Sequence, residues 1–165
     1  METAKFEPTR SELRFADIVA QGSDGRIVLL VEVKAAELAS RESVISQLKS
    51  NLQAANTKIP FAMLVDLEDI EIFQGDNVSL SAEPMVSLKT ADVLRHYDAE
   101  FGTRRIFKPY LIALVEAWLR DLAYHWKSEK PPASEQLTAI GLLQQLEGGT
   151  TRPEVALGGD TLMLV

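Results

Sequence analysis

The sequence contains no cysteine. That excludes a disulfide framework, a thiol nucleophile and a cysteine zinc site, and it is compatible with a reducing cytoplasm. No apolar run approaches the roughly 20 residues that span a bilayer. The first residues, METAKFEPTR, lack the apolar core of a signal peptide. The expectation is a cytoplasmic protein without a membrane partner. Histidine is scarce, and His96 and His125 stand alone, without the spacing of a metal-binding pair. No P-loop or GxGxxG motif offers a nucleotide site. Ser79, Ser81 and Ser87 lack the G-x-S-x-G context of a serine hydrolase. Positive charge is short as well: 17 Lys and Arg stand against 24 Asp and Glu, a net charge of −7. Such a balance argues against broad, non-specific nucleic-acid binding, which needs clustered cations, while leaving room for a local basic patch.

What is present reads as one α/β domain over residues 1–165. The length of 165 residues and the 46% apolar content suit a single core. Residues 14–21 (RFADIVAQ) and 26–34 (RIVLLVEVK) read as two strands joined at Asp24-Gly25, a dipeptide that tight hairpins favour. Ile27 to Val31 is continuously apolar, as in a strand buried on both faces. Val44, Ile45, Leu48, Leu52 and Ala55 fall on one arc of a helix over 40–56, with Ser40 or Ser43 as its cap. Residues 60–66 and 69–74 read as further strands, PMVSL as a short one, and Thr90–Leu94 as the start of a short helix. A long helix is expected over 104–127, with Tyr110, Trp118 and Trp126 inward or partly so, ended by Lys130-Pro131-Pro132. Another is expected over 135–147, capped by Ser134 and stopped by Gly148-Gly149. A terminal hairpin would join 152–157 to 160–165. The expected fold is therefore a mixed central sheet flanked by helices, with a helical C-terminal half over about 88–147.

Three charged residues interrupt the apolar hairpin. If Asp24 and Gly25 are its loop residues, facing positions sum to 49, and Asp17 lies opposite Glu32 with Cβ atoms about 5 Å apart. Lys34 emerges on the same face, two residues on. Carboxylates so close repel each other, which raises one pKa or calls for a cation. Mg²⁺ suits such a site, since it takes oxygen ligands from one or two carboxylates and keeps several waters. The carbonyl of Val33 would add a ligand, and Lys34 would orient or deprotonate a water or stabilise charge on a phosphate.

The run from Asp17 through fourteen residues to Glu32-Val33-Lys34 resembles the D…(D/E)-x-K signature of PD-(D/E)XK nucleases, the restriction-endonuclease-like superfamily. The likeness covers about 12–74: hairpin, apolar second strand ending V-E-V-K-A, a helix carrying Gln47, then two strands. It is similar to small prokaryotic members of that superfamily. The resemblance implies a restriction-endonuclease-like fold and Mg²⁺- or Mn²⁺-dependent hydrolysis of DNA phosphodiesters. It makes Asp17 and Glu32 metal ligands, Lys34 the catalytic lysine, and Gln47 the first place of a Gln-x-x-x-Tyr pattern. Asn51 stands where that pattern has tyrosine, and Ala16 where the family name has proline. Glu7 and Glu12 are the nearby candidates for a glutamate that some members carry before the hairpin.

Other readings of the same residues stay open. Asp17, Glu32 and Lys34 also fit a cross-strand ion-pair cluster, and Gln47 a surface glutamine. Arg104, Arg105 and Lys108 fit a solvated helix start better than a phosphate contact, and Arg10, Arg14, Arg41, Lys49 and Lys58 are candidates for a basic rim. A nuclease scaffold used for docking, without catalysis, is the second functional expectation. With no separate recognition domain visible, specificity would come from loops, a homodimer or a partner protein.

Overall fold

A computed structural model describes residues 14–36, 40–55, 57–75, 80–81 and 83–157. The expected hairpin is present as β1 (Arg14–Gln21) and β2 (Ile27–Val33), and every residue of β2 is buried. Pairing runs Ile18↔Val31, Val19↔Leu30 and Ala20↔Leu29, the register anticipated. The turn differs from the two-residue loop expected. Gly22 N–H donates to the Arg26 carbonyl (2.9 Å) and Gly25 N–H to the Gly22 carbonyl (3.0 Å), and Gln21 pairs with Ile27. The loop thus spans Gly22–Arg26, and Val28 is the extra residue of a bulge that restores the register.

α1 (Arg41–Ala54) follows, capped by Ser40, whose Oγ accepts the Ser43 N–H at 3.1 Å. It carries the chain over the sheet to β3 (Phe61–Val65), parallel to β2, the crossover that parallel pairing requires. β4 (Asp69–Gln74) and β5 (Val86–Lys89) add antiparallel, and α2 (Thr90–Leu94) begins where β5 ends. The sheet is mixed and six-stranded, in the order β5-β4-β3-β2-β1-β6, with β6 (Thr150–Leu157) on the outer side of β1. β6 is irregular in its middle, where Ala16 pairs with Val155 and Ile18 with Pro153, and Glu154 between them has φ 50°.

A helical C-terminal half is not evident. Region 88–147 holds α2, α3 (Lys108–Tyr124), α4 (Ser134–Ala139) and α5 (Leu142–Leu146), but these helices cover one face of the sheet, and the chain returns to the sheet as β6. Strand alternation separates two cores. Ile18, Val31, Val33 and Met63 meet Leu111, Trp118, Leu122 and Leu142 on one face. Leu30, Ala62 and Leu64 meet Val44, Leu48 and Leu52 of α1 on the other.

Several boundaries move for local reasons. α3 starts at Lys108 because Phe107 is its extended N-cap and Pro109 fits its first turn. It stops at Tyr124 because His125 turns left-handed (φ 54°). There the buried Asp121 carboxylate accepts the N–H groups of Lys127 (2.9 Å) and Ser128 (3.0 Å) and the Tyr97 hydroxyl (2.7 Å). Trp126 therefore lies beyond the helix, half exposed, and Tyr110 is exposed too. The helix expected over 135–147 breaks at Gly141 (φ 84°) into α4 and α5. Ser134 opens α4 rather than capping it, its Oγ donating to the Pro131 carbonyl. Residues 152–157 belong to the β6–β1 pairing, and the second strand expected at 160–165 lies outside the described residues. Among the described residues no helix is long and apolar enough to cross a membrane.

The junction of α5 with β6 is closed by Gly149, where an added Cβ would sit 1.9 Å from the Gln21 carbonyl oxygen. Gly149→Ala should force β6 off β1 and cost about 1–3 kcal/mol, read as a lower midpoint in urea unfolding. An unchanged midpoint would mean that this end of the sheet is soft.

Candidate functional site

The hairpin and α1 bring Asp17, Glu32, Lys34 and Gln47 together. Glu32 and Lys34 lie two apart on β2, and Gln47 and Asn51 four apart on α1. Two strand residues rise about 6.6 Å and four helical residues about 6 Å. Because α1 runs back along β2, the two pairs match: Lys34 Nζ donates to Gln47 Oε1 (3.2 Å), and Asn51 Nδ2 donates to Glu32 Oε1.

Asp17 reaches the group from β1. Strand pairing of β1 with β2 ends at Ile18↔Val31, and next to it the Asp17 side chain takes over as acceptor, its Oδ2 receiving the Val33 N–H at 2.7 Å. Inward alternation along β1 slips at this point: Ala16 and Val19 pack on the α1 side, Ile18 and Ala20 on the other. The other oxygen, Asp17 Oδ1, is 3.1 Å from Lys108 Nζ at the start of α3.

Glu32 is 1% exposed. Burial, and next the charge of Asp17, push its carboxyl up to about 8, against smaller opposing effects of the Asn51 hydrogen bond and the Lys34 charge. The charge of the neighbouring Asp17 thus favours the protonated form of Glu32 near neutral pH. Asn51 is equally buried, and its Oδ1 has no hydrogen-bond partner among the described residues. The spot is therefore crowded with oxygen acceptors. That donor chemistry fits a hard divalent ion held by Asp17, Glu32 and the Val33 carbonyl. Among the described residues no group of three or more His, Cys, Asp or Glu side chains forms a metal cluster, so such an ion would rely on two carboxylates. A cleft of about 460 Å³ meets the site at Lys34, between apolar walls that include Val44 and Leu64, with Arg41, Asp66 and Glu68 at its rim.

Sequence reasoning missed two members. Asn51 figured only as a departure from a tyrosine pattern, although its place one turn after Gln47 put it on the same helix face. Lys108 fits a solvated helix start on its local pattern, and no local signal ties it to a residue so distant along the chain. Of the other cations considered, Arg41 is bound to Glu71 (Nη2–Oε2 2.8 Å), and Arg104 lies 3.4 Å from Asp98 and 3.5 Å from Glu100. Arg105 covers the Phe107 ring at 5.0 Å. Lys49 and Lys58 are exposed. Glu7, Arg10 and Glu12 lie outside the described residues, as does the Arg14 side chain.

The fold and this cluster define a mixed-sheet α/β protein with a paired-carboxyl and lysine site at the open end of its first hairpin. The chain belongs to the family described as Type I restriction enzyme R protein N terminus, which matches residues 5–88, half of its length. That links it to restriction-enzyme-related proteins, and the match includes Asp17, Glu32, Lys34, Gln47 and Asn51 but stops before Lys108. No curated protein and no solved structure matches the chain.

Glu32 gives the stability a pH dependence of definite sign. Its carboxyl ionises near its ordinary 4.5 when unfolded and near 8 when folded. The folded state binds more protons between those values, so this stabilisation is complete below pH 4.5 and drains away as pH rises through about 8. Wild type should lose up to a few kcal/mol over that window in metal-free buffer, and Glu32→Gln should flatten the loss. Parallel melting curves for the two proteins would count against the buried proton. Asn51→Ala, which strips Glu32 of a donor, should cost about 1–3 kcal/mol, most clearly above pH 8, where Glu32 is ionised.

Proposed function

We propose that the chain is a metal-dependent endonuclease of the PD-(D/E)XK type, with a restriction-endonuclease-like fold, that hydrolyses DNA phosphodiester bonds. The observation that carries the reading is the buried Glu32 carboxyl against that of Asp17, with Lys34 beside them. Paired acids shielded from water are costly to a fold and cluster at functional sites. Membership in a family named for the R protein of Type I restriction enzymes supports a DNA-related role.

The residues divide the work. Asp17, Glu32 and the Val33 carbonyl would hold Mg²⁺ or Mn²⁺, which when bound supplies charge to a phosphoryl oxygen and acidifies water. Val33 N–H and Asn51 Nδ2 fix one oxygen of each carboxyl in place. Gln47 holds one donor of the Lys34 ammonium, leaving the remaining protons for the attacking water or a phosphate oxygen. Lys34 stands where the site meets the cleft, the natural approach for a strand. Sequence preference would come from loops, a second copy or a protein partner.

A second reading, a docking module without catalysis, draws on one observation. Arg41, a candidate for a basic rim, and Arg104, a candidate phosphate contact, are already paired with acids in a chain of net charge −7.

Calorimetry with Mn²⁺ and plasmid nicking separate the two. Asp17→Ala and Glu32→Ala should abolish metal binding and nicking. Lys34→Ala should keep the metal and lose about 100-fold or more in nicking rate, and Gln47→Ala should show a smaller loss. Below pH 8, metal binding should release a proton from Glu32. Nicking that persists in Lys34→Ala would overturn the assignment of roles. Metal binding without nicking or DNA binding would favour the docking module.

A further inference from the structure

The lysine nearest Asp17 is not the one in the hairpin. Lys34 is turned to Gln47 on α1, while Lys108, the first residue of α3, sets its ammonium 3.1 Å from Asp17 Oδ1. The two ends of this side chain differ in freedom. Its backbone is fixed, because Leu111, Leu114 and Trp118 bury α3 against the sheet. Its head is not, because the Lys108 side chain is 44% exposed and sits on a flexible four-carbon stem. The neighbouring cations are committed elsewhere, Arg104 to Asp98 and Glu100 and Arg105 to the Phe107 ring. Lys108 alone of this basic trio is aimed at the carboxyl pair.

We infer that Lys108 is the resident counter-ion of Asp17 in the metal-free site, and that a divalent cation taking up Asp17 displaces it toward an incoming DNA phosphate. The inference rests on the reading that Asp17 and Glu32 hold a divalent ion. A monovalent ammonium and a dication compete for Oδ1, since the second oxygen is already held by the Val33 N–H. The dication gains more from the paired carboxylates, and the ammonium, half in solvent, loses little by leaving. Once released it is an unpaired cation on a rigid helix at the edge of the site, where a phosphate of the bound strand would neutralise it. Lys108 thus balances the Asp17 carboxylate in the empty protein and adds a phosphate contact in the loaded one.

The test titrates full-length wild type, Lys108→Met and Lys108→Gln with Mn²⁺ alone by calorimetry. It then measures binding of a fluorescent DNA duplex across a salt series, with Ca²⁺ in place of Mg²⁺ to prevent cutting. Both variants should bind Mn²⁺ about two- to fivefold more tightly than wild type. Both should bind DNA more weakly, with a log–log salt slope smaller by about 1. Equal or weaker Mn²⁺ binding by the variants overturns the counter-ion role and leaves the metal reading standing. Tighter Mn²⁺ binding with an unchanged salt slope overturns the hand-over to phosphate. Absence of Mn²⁺ binding in all three proteins overturns the inference and the metal reading together. The side chain is exposed, so the variants should fold, and two substitutions of different polarity guard against an effect of the new residue.

Discussion

A carboxyl in a strand buried along its whole length has few ways to persist. It must stay protonated, find donors, or meet a cation, because an isolated charge in such a place is too costly to fold around. Glu32 uses the first two in the metal-free protein: a raised affinity for its proton and the Asn51 amide. The site geometry follows from satisfying it. α1 must present Asn51 to β2, which fixes the axial position of the helix and carries Gln47 to Lys34 one turn away. β1 must bring Asp17 alongside, and its side chain then serves as the acceptor for Val33.

Rigidity and freedom are distributed unevenly around this point. Asp17 and Glu32 are braced from β2 and α1, whereas the two lysines reach in on long stems from the cleft side and from α3. The braced groups are those whose separation would matter for holding the proposed ion. A second polar group, partly buried where α3 meets β6, ties that helix to the sheet. There Arg120 Nη2 lies 3.0 Å from Glu116 Oε2, and both side chains bond the Thr151 hydroxyl. The helix that carries Lys108 is thereby tied to the strand flanking β1.

Much of this could be read in the sequence where the signal was local. The unbroken apolar run marked β2, Ser40 marked the start of α1, and alternation placed Glu32 and Lys34 on one face. The pairing sum of 49 survived an incorrect turn because the longer loop and the Val28 bulge compensate. What escaped depended on contacts between distant segments. Lys108 reaches Asp17 only because α3 packs across the sheet. Asn51 matters only because Glu32 is buried beneath it. Trp126 looked like a continuation of the α3 stripe, but Asp121 offers the following amides a better partner than another helical turn would. Helix breaks at Gly141 and His125 needed left-handed backbone, which a hydrophobic pattern does not encode.

The irregularity of β6 has a consequence for how this protein meets others. An outermost strand normally presents free amides and carbonyls that a further strand can adopt. Here that rim carries Pro153, which has no amide hydrogen, and a left-handed Glu154, so its hydrogen-bonding groups fall out of step. At the opposite rim β5 is only four residues long and bears Lys89, paired with Asp69. Among the described strands neither rim is a good template, which discourages sheet-to-sheet polymerisation there.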